Sequence, residues 1–219
     1  MTLDLRLLAI LDAGVLGGRD PVAAARAAEA GGATAIQLRM KGGAAGPMLA
    51  LAVRLRGALA VPLYLNDRAD VAWAAGAHGV HVGADDLPPA AVRAAAPRPC
   101  LIGVSVGTPA EAEAALGADP DYWSVGSVYA TPTKRDAGAP IGVSGFRSLA
   151  SLAPPGMPVI GIGGITADNA GRLIQAGARG VAVISAIFAA ADVERAARRL
   201  RDAVDGALQH WERGAGSGA

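Results

Sequence analysis

Eight short apolar runs, each followed by an alanine-rich segment of helical length, repeat along this 219-residue chain. The runs lie at 5–11, 33–40, 62–65, 79–83, 101–106, 122–129, 159–164 and 180–187. The helix-compatible segments lie near 20–30, 46–60, 68–77, 88–96, 109–117, 143–152, 167–176 and 189–210. Strands that alternate with helices pair in parallel, so eight such units predict one α/β domain, a (β/α)8 TIM barrel over residues 1–212. Residues 213–219, rich in Gly, Ala and Ser, are predicted to form a flexible tail.

Charge and hydropathy argue against nucleic acid or a membrane as a partner. The 20 basic and 19 acidic residues leave a net charge of +1, too little to attract a polyanion. The longest uncharged stretch, 148–167, is interrupted by proline and glycine, which disfavours a membrane helix. Cys100 is the single cysteine, so no internal disulfide can form, and we expect a cytoplasmic protein. The oligomeric state is left open, with a homo-oligomer among the alternatives.

The segment from 61 to 87 carries two acidic groups, each directly after an apolar run. Because the two predicted strands are parallel, Asp67 and Asp86 should face each other at the same edge of the sheet. Two carboxylates held close together repel unless a cation or a proton lies between them. Mg²⁺, completed by water and a phosphate-bearing substrate, suits such a pair. The alternative is that both aspartates are ordinary helix N-caps.

The second apolar run ends in the segment IQLRMK, in which polar and apolar residues alternate. Strand geometry separates the two sets, Ile36, Leu38 and Met40 on one face and Gln37, Arg39 and Lys41 on the other. Parallel strands covered by helices are normally apolar on both faces, so the polar set should line the mouth of the barrel. A guanidinium and an ammonium together suit a phosphate or diphosphate. A half-exposed antiparallel strand would show a similar pattern.

The segments after the last three predicted strands carry further groups that bind anions. The segment YATPTKRDAGAP supplies Thr131, Thr133 and Lys134, although a solvated loop would look similar. The segment GIGGITADN leaves backbone N–H groups uncovered where a helix begins, and Ile184 and Ser185 end the eighth run. Because barrels often bind phosphate with the loops after strands seven and eight, phosphate-binding loops are predicted here.

Together the motifs IQLRMK, NDRAD, GVHVGADDLP, GVS, ATPTKRDAGAP, GIGGITADN and VISAI resemble those of the thiamine phosphate synthase family. The resemblance extends from about residue 5 to residue 200. It implies a transferase that joins hydroxymethylpyrimidine diphosphate to hydroxyethylthiazole phosphate and releases pyrophosphate, with Mg²⁺ as cofactor. No protein nucleophile is needed for this reaction, and the sequence offers no nucleophile motif.

The resemblance also implies a role for individual residues. Catalytic roles fall on Arg39, Lys41, Ser105 and Lys134. The pyrimidine diphosphate would contact Gln37, Arg39, Lys41, Asn66, Ser105 and Lys134. The thiazole phosphate would contact Thr131, Thr133, Gly164, Ile184 and Ser185. Leu38, Met40 and Pro132 would also contact substrate. Asp67 and Asp86 would hold the metal ion.

Two positions depart from the family pattern. Ala84 stands where the family usually has glutamine, and Gly107 stands where it often has histidine. The related thiazole tautomerases rely on a histidine near the second position, so its absence favours the synthase. A tautomerase-like isomerase on the same barrel and a non-catalytic phosphate-ligand binder are the alternatives that remain open.

Overall fold

Eight parallel strands close into a barrel in the computed structural model, which describes residues 3–131 and 139–216. The strands are β1 (Leu7–Asp12), β2 (Ala35–Arg39), β3 (Leu63–Asn66), β4 (Gly79–Val82), β5 (Leu101–Val106), β6 (Tyr122–Val125), β7 (Val159–Ile162) and β8 (Gly180–Val183). Each strand pairs with the next, and pairing of Leu7 with Val181 joins β1 to β8. The predicted α/β barrel is therefore confirmed.

Nine helices occupy the described ranges and cover the outside of the barrel. They are α1 (Pro21–Ala30), α2 (Ala45–Ala58), α3 (Ala69–Ala74), α4 (Pro89–Ala95), α5 (Pro109–Leu116), α6 (Gly142–Ala150), α7 (Ala167–Gln175), α8 (Ser185–Phe188) and α9 (Val193–Gly216). Local signals start two of them, because the side chains of Asp20 and Thr108 accept hydrogen bonds from the first turns of α1 and α5. A proline at the start of each of these helices needs no hydrogen-bond acceptor. Among the residues described, no helix combines the length and apolarity needed to span a bilayer.

Several element boundaries differ from the sequence prediction, most of all the ends of β6, β8 and α9. Strand β6 ends at Val125 instead of 129, although the next residues remain beside β7, with Val128 N–H donating to Ile162 O at 2.8 Å. Strand β8 ends at Val183, because the chain turns into the short helix α8 instead of continuing to residue 187. Helix α9 continues to Gly216, past the predicted boundary at 212, although the glycines there disfavour a helix.

Two apolar layers pack on opposite faces of the sheet. The outer layer joins strands to helices, and it contains residues such as Leu11, Leu38, Val104 and Phe146. The inner layer fills the barrel and consists of Leu5, Leu8, Ile10, Ala35, Tyr64, Tyr122, Ile160 and Ala182. Alternation along each strand divides side chains between the two layers, so polar side chains that replace the inner set near the rim must face the barrel interior.

Two glycines make room for the two tyrosines of the inner layer. A Cβ on Gly103 would lie 2.1 Å from Tyr122 Cζ, and a Cβ on Gly79 would lie 2.8 Å from the ring of Tyr64. The two rings meet edge to face, with centroids 5.9 Å apart. Because strand backbones and buried rings cannot shift easily, these glycines are required by packing and not by backbone freedom.

We expect Gly103→Ala to lower the free energy of unfolding by about 1–3 kcal/mol or more, because the added methyl overlaps the Tyr122 ring. The matched control is Gly206→Ala in the middle of α9, where a new Cβ meets nothing within 4 Å. There the same substitution should raise stability by about 1 kcal/mol, since alanine favours a helix over glycine. Urea denaturation of both variants measures the two effects, and equal effects of the same sign would contradict this account.

Candidate active site

A cavity of about 670 Å³ opens at the carboxyl-terminal rim of the barrel. Its walls come from the ends of seven of the eight strands and the segments that follow them, and from Ile10 of β1 at its floor. The predicted site residues that line it are Gln37, Arg39, Lys41, Asn66, Asp67, Asp86, Ser105, Thr131, Gly164, Ile184 and Ser185. Side chains that are far apart in sequence thus meet at one place, as the parallel strand order requires.

The polar face of β2 enters the cavity as its alternation predicted. Gln37 is almost fully buried, and its side-chain amide donates to Asn66 Oδ1 at 2.7 Å. This contact fixes the Asn66 side chain so that its amide nitrogen is available to a ligand. Lys41 lies just beyond the strand end and is half exposed, with Nζ 3.8 Å from Asp67 Oδ2. Its ammonium can therefore reach a ligand at the cavity mouth without a prior tight ion pair.

Arg39 is held by a carboxylate that the sequence analysis did not single out. Asp12 ends β1 directly beside Arg39 in the sheet register, and their side chains form an ion pair that is largely buried. The other oxygen of Asp12 accepts the backbone N–H of Gly14 at 2.8 Å. A buried guanidinium needs such a partner, because an unpaired buried charge is strongly destabilising. Asp12 thus holds Arg39 in a set orientation at the cavity wall.

Asp67 and Asp86 come together across the ends of β3 and β4, as predicted. The pKa of Asp67 is raised from 3.8 to about 6. Burial is the largest cause, and the neighbouring Asp86 carboxyl is the next. Lys41 and Arg39 oppose the shift. Asp86 is oriented by the backbone N–H of Gly83, which donates to its Oδ2 at 2.8 Å. The backbone φ of Asp67 is 66°, a left-handed conformation that aspartate tolerates better than most residues.

The helix-cap alternative for these aspartates is wrong. The N-cap residue of α3 is Arg68 and that of α4 is Pro88, and neither helix has a side-chain capping hydrogen bond. In residues 3–131 and 139–216, no group of three or more His, Cys, Asp or Glu side chains is placed to bind a metal ion. A lone pair of carboxylates does not suit zinc, which takes four ligands or three plus water, but it fits Mg²⁺, which often uses one or two carboxylates plus phosphate oxygens.

The opposite side of the cavity is formed by the segments after β7 and β8. Gly163 and Gly164 have φ values of 98° and 63°, and a Cβ on either would overlap the loop after β6. These glycines therefore expose backbone to a ligand where no side chain fits. The side chain of Asn169 donates to Gly164 O at 3.0 Å and fixes this turn. Ser185 begins the short helix α8, in which the N–H groups of Ile187 and Phe188 donate to Ile184 O.

Two predicted contacts have their side chains elsewhere. Leu38 is fully buried in the outer apolar layer, and Met40 packs against that layer, because both lie on the face of β2 opposite Gln37. Only their backbone atoms remain as possible ligand contacts. Pro132, Thr133 and Lys134 lie outside the described residues, and their assignment stays a prediction.

The cavity also contains residues that sequence reasoning missed, chiefly His81, Glu111, Ser124 and Ser127. His81 is only 6% exposed and contacts Ser105 Oγ through Nε2 at 2.9 Å. The alternation rule that identified Gln37 would have found it, since His81 lies between the outward-facing Val80 and Val82 on β4. Glu111 lies in the first turn of α5, and its Oε2 accepts the N–H of Gly107 at 2.6 Å.

Comparison with known proteins identifies close relatives of this chain. A family model described as thiamine monophosphate synthase matches residues 7–187. The thiamine-phosphate synthase of Moorella thermoacetica is 46% identical over 191 residues, covering 86% of this chain and 90% of that protein. The thiamine-phosphate synthase of Chloroflexus aurantiacus is 45% identical over 201 residues, covering 90% of this chain and 92% of that protein.

A solved structure agrees with these sequence matches. The thiamine phosphate pyrophosphorylase of Pyrococcus furiosus superposes with a TM-score of 0.84 at 36% identity. The match covers 94% of this chain and 98% of that chain. The sequence similarity and the structural similarity to this protein therefore both extend over almost the whole barrel.

We expect Asp67→Asn to raise the melting temperature above pH 6, with a gain that shrinks as the pH falls toward 4. The folded-state pKa of Asp67 is about 6, against 3.8 for the ordinary group, so ionisation destabilises the native state. This destabilisation is absent below the ordinary pKa of 3.8 and complete above the folded-state pKa of about 6. Asparagine also accepts the left-handed backbone at this position. Melting curves in EDTA from pH 4 to pH 8 test the prediction, and a difference that is constant with pH would refute it.

Proposed function

The chain belongs to the thiamine monophosphate synthase family, and we propose that it joins hydroxymethylpyrimidine diphosphate to hydroxyethylthiazole phosphate. The products would be thiamine phosphate and pyrophosphate. The observation that carries the proposal is a single cavity with two different anion-binding sides. Lys41, Arg39 and Asn66 lie on one side. The turn at Gly163 and Gly164, called the glycine turn, lies on the other side with Ser185. Two phosphate-bearing substrates could thus bind with their rings between these sides.

The cationic side suits the departure of a diphosphate. Negative charge grows on the leaving oxygens as the bond to the pyrimidine methylene carbon breaks, so fixed positive groups lower the barrier. Arg39 is preorganised by Asp12, and Lys41 reaches the same region from the strand end. The amino group of the pyrimidine can delocalise the positive charge left on the carbon. The thiazole nitrogen then attacks that carbon, and no protein nucleophile takes part.

A Mg²⁺ cofactor is part of the proposal, with Asp67 and Asp86 as its protein ligands. Burial raises the pKa of Asp67, and its contact with Asp86 raises it further, which supports a preference for a cation between the two carboxylates. Magnesium bound there would supply further positive charge to the diphosphate oxygens. Lys41 lies near the same pair and would contact the same diphosphate.

The glycine turn and α8 suit the phosphate of the thiazole substrate. Gly164, Ile184 and Ser185 line this side of the cavity, and Thr131 lies at its edge. Backbone N–H groups near a helix start bind phosphate without adding a formal charge. This arrangement would keep the thiazole phosphate apart from the diphosphate and its cations.

The alternative of a thiazole tautomerase has less support. Gly107 lies near the point where that branch relies on a histidine, and its N–H donates to Glu111. A Cβ at Gly107 would lie 3.0 Å from Gly126 O, so the backbone there leaves little room for a larger side chain. The cytoplasm is the compartment we propose for the reaction, since a free buried thiol such as Cys100 suits a reducing environment.

The direct test is formation of thiamine phosphate from the two substrates by the purified protein. We expect product only when both substrates are present, whereas isomerisation of a thiazole without the pyrimidine would indicate a tautomerase. Lys41→Ala should lower kcat on the order of a hundred- to a thousandfold, because one preorganised transition-state contact is lost. The KM for thiazole phosphate should change little. Arg54→Ala, which removes an exposed cation on α2, is the matched control and should retain full activity. Failure to form product would refute the proposed function.

The metal assignment has its own test. Asp86→Asn keeps the side-chain shape and removes the charge, so turnover should be nearly lost at ordinary Mg²⁺ concentrations. Calorimetry should show that Mg²⁺ tightens binding of the pyrimidine diphosphate and hardly affects thiazole phosphate, because Mg²⁺ shares phosphate oxygens with few protein ligands. Near-normal turnover of Asp86→Asn and Asp67→Asn at low Mg²⁺ would contradict a metal site at this pair.

A further inference from the structure

A chain of three side chains leads from the cavity wall into the closed interior of the barrel. Ser105 Oγ, at the cavity, lies 2.9 Å from Nε2 of His81. Nδ1 of the same ring lies 3.0 Å from the hydroxyl of Tyr122. Exposure falls along the chain, since Ser105 is half-buried, His81 is 6% exposed and Tyr122 is fully buried. This series of side chains therefore begins where a ligand would bind and ends at a point that water does not reach.

Packing inside the barrel holds the Tyr122 ring beneath His81. The Tyr122 ring occupies space that exists only because residue 103 lacks a side chain. Tyr64 packs against the ring edge to face, and the imidazole of His81 lies 5.6 Å away from it, centroid to centroid. These contacts fix the ring from two sides. The phenol oxygen consequently has a set position beneath His81.

The direction of the hydrogen bonds follows from the phenol. Complete burial raises the pKa of Tyr122 well above its usual value, so the hydroxyl keeps its proton. Among the described residues, Nδ1 of His81 is the one acceptor within its reach. A buried donor without an acceptor is strongly disfavoured. Tyr122 therefore donates to Nδ1, which leaves the ring proton on Nε2, and Nε2 donates to Ser105 Oγ.

We propose that Tyr122 is a positioning residue that selects the Nε2-protonated form of His81 and thereby turns the Ser105 hydroxyl proton toward the cavity. Since Ser105 Oγ already accepts from His81, its own O–H is directed to a ligand oxygen. An anion such as diphosphate takes a hydrogen bond from that O–H, and a Ser105 that donated to His81 could not provide it. The significance for catalysis rests on the proposed function, whereas the direction of the hydrogen bonds does not.

The first test is the position of the ring proton in the unmodified protein. The chain has only three histidines, so two-bond ¹H–¹⁵N correlation spectra of ¹⁵N-labelled protein can be assigned with His78→Gln and His210→Gln variants. We expect neutral His81 to carry its proton on Nε2, and Tyr122→Phe to shift the population toward Nδ1. A proton on Nδ1 in the unmodified protein, or no change in Tyr122→Phe, would overturn the inference. This measurement needs no enzymatic activity, so it separates failure of the inference from failure of the proposed function.

The second test is a double-mutant cycle on kcat and KM. Ser105→Ala should lower kcat on the order of ten- to a hundredfold, the value of one hydrogen bond to a charged group. Tyr122→Phe should lower kcat by a similar factor, and the double variant should be no slower than Ser105→Ala. Independent, multiplied effects would show a merely structural role for Tyr122.

The matched control for packing is Tyr64→Phe. Its hydroxyl is buried in the same layer and has no hydrogen-bond partner in the part of the chain that the structure describes. Removing this hydroxyl therefore tests the loss of a phenol oxygen from the barrel interior. We expect this variant to keep its kcat and the His81 ring proton on Nε2. A loss of kcat in Tyr64→Phe equal to that in Tyr122→Phe would refute the specific role of Tyr122.

Discussion

Closure of eight parallel strands places every carboxyl-terminal strand end at one rim of the barrel, and the site depends on this constraint. Strand ends far apart in sequence, such as Asn66 on β3 and Ser105 on β5, thereby become walls of one cavity. The alternation of side chains then decides which residues enter the barrel and which face the helices. The inward-facing side chains are apolar below the rim and mostly polar at the rim.

The rim concentrates charge in a partly buried space, and the protein balances only part of it. Asp12 neutralises Arg39 in a close pair, so that guanidinium is held without an unpaired charge. Asp67 is balanced less completely, because Lys41 is 3.8 Å away and Asp86 repels it. Burial, and after it the contact with Asp86, therefore raises the pKa of Asp67. Stability lost at a site in this way is typical where a ligand, and not the fold, supplies the compensating interaction.

Much of the barrel could be predicted from sequence because periodicity and glycine or proline signals are local. The polar face of β2 was correctly assigned to the cavity, and Asp67 and Asp86 were correctly brought together. The ends of β6 and β8 were not predicted, since Val128 and Ile184 are as apolar as the strand residues before them. Whether such residues continue a strand depends on neighbouring strands, which a single sequence does not display. His81 was missed although its strand alternation contained the signal.

The sequence by itself determined the fold class, the family and the set of polar residues at the strand ends, because these follow from local patterns and from motifs. Only the tertiary structure decided how those residues are held. Asp12 meets Arg39 across a strand pair, and Tyr122 lies beneath His81 because Gly103 leaves room for its ring. Contacts of this kind depend on register and packing between strand residues that are 19 or more positions apart in the sequence. No local pattern in the chain specifies them.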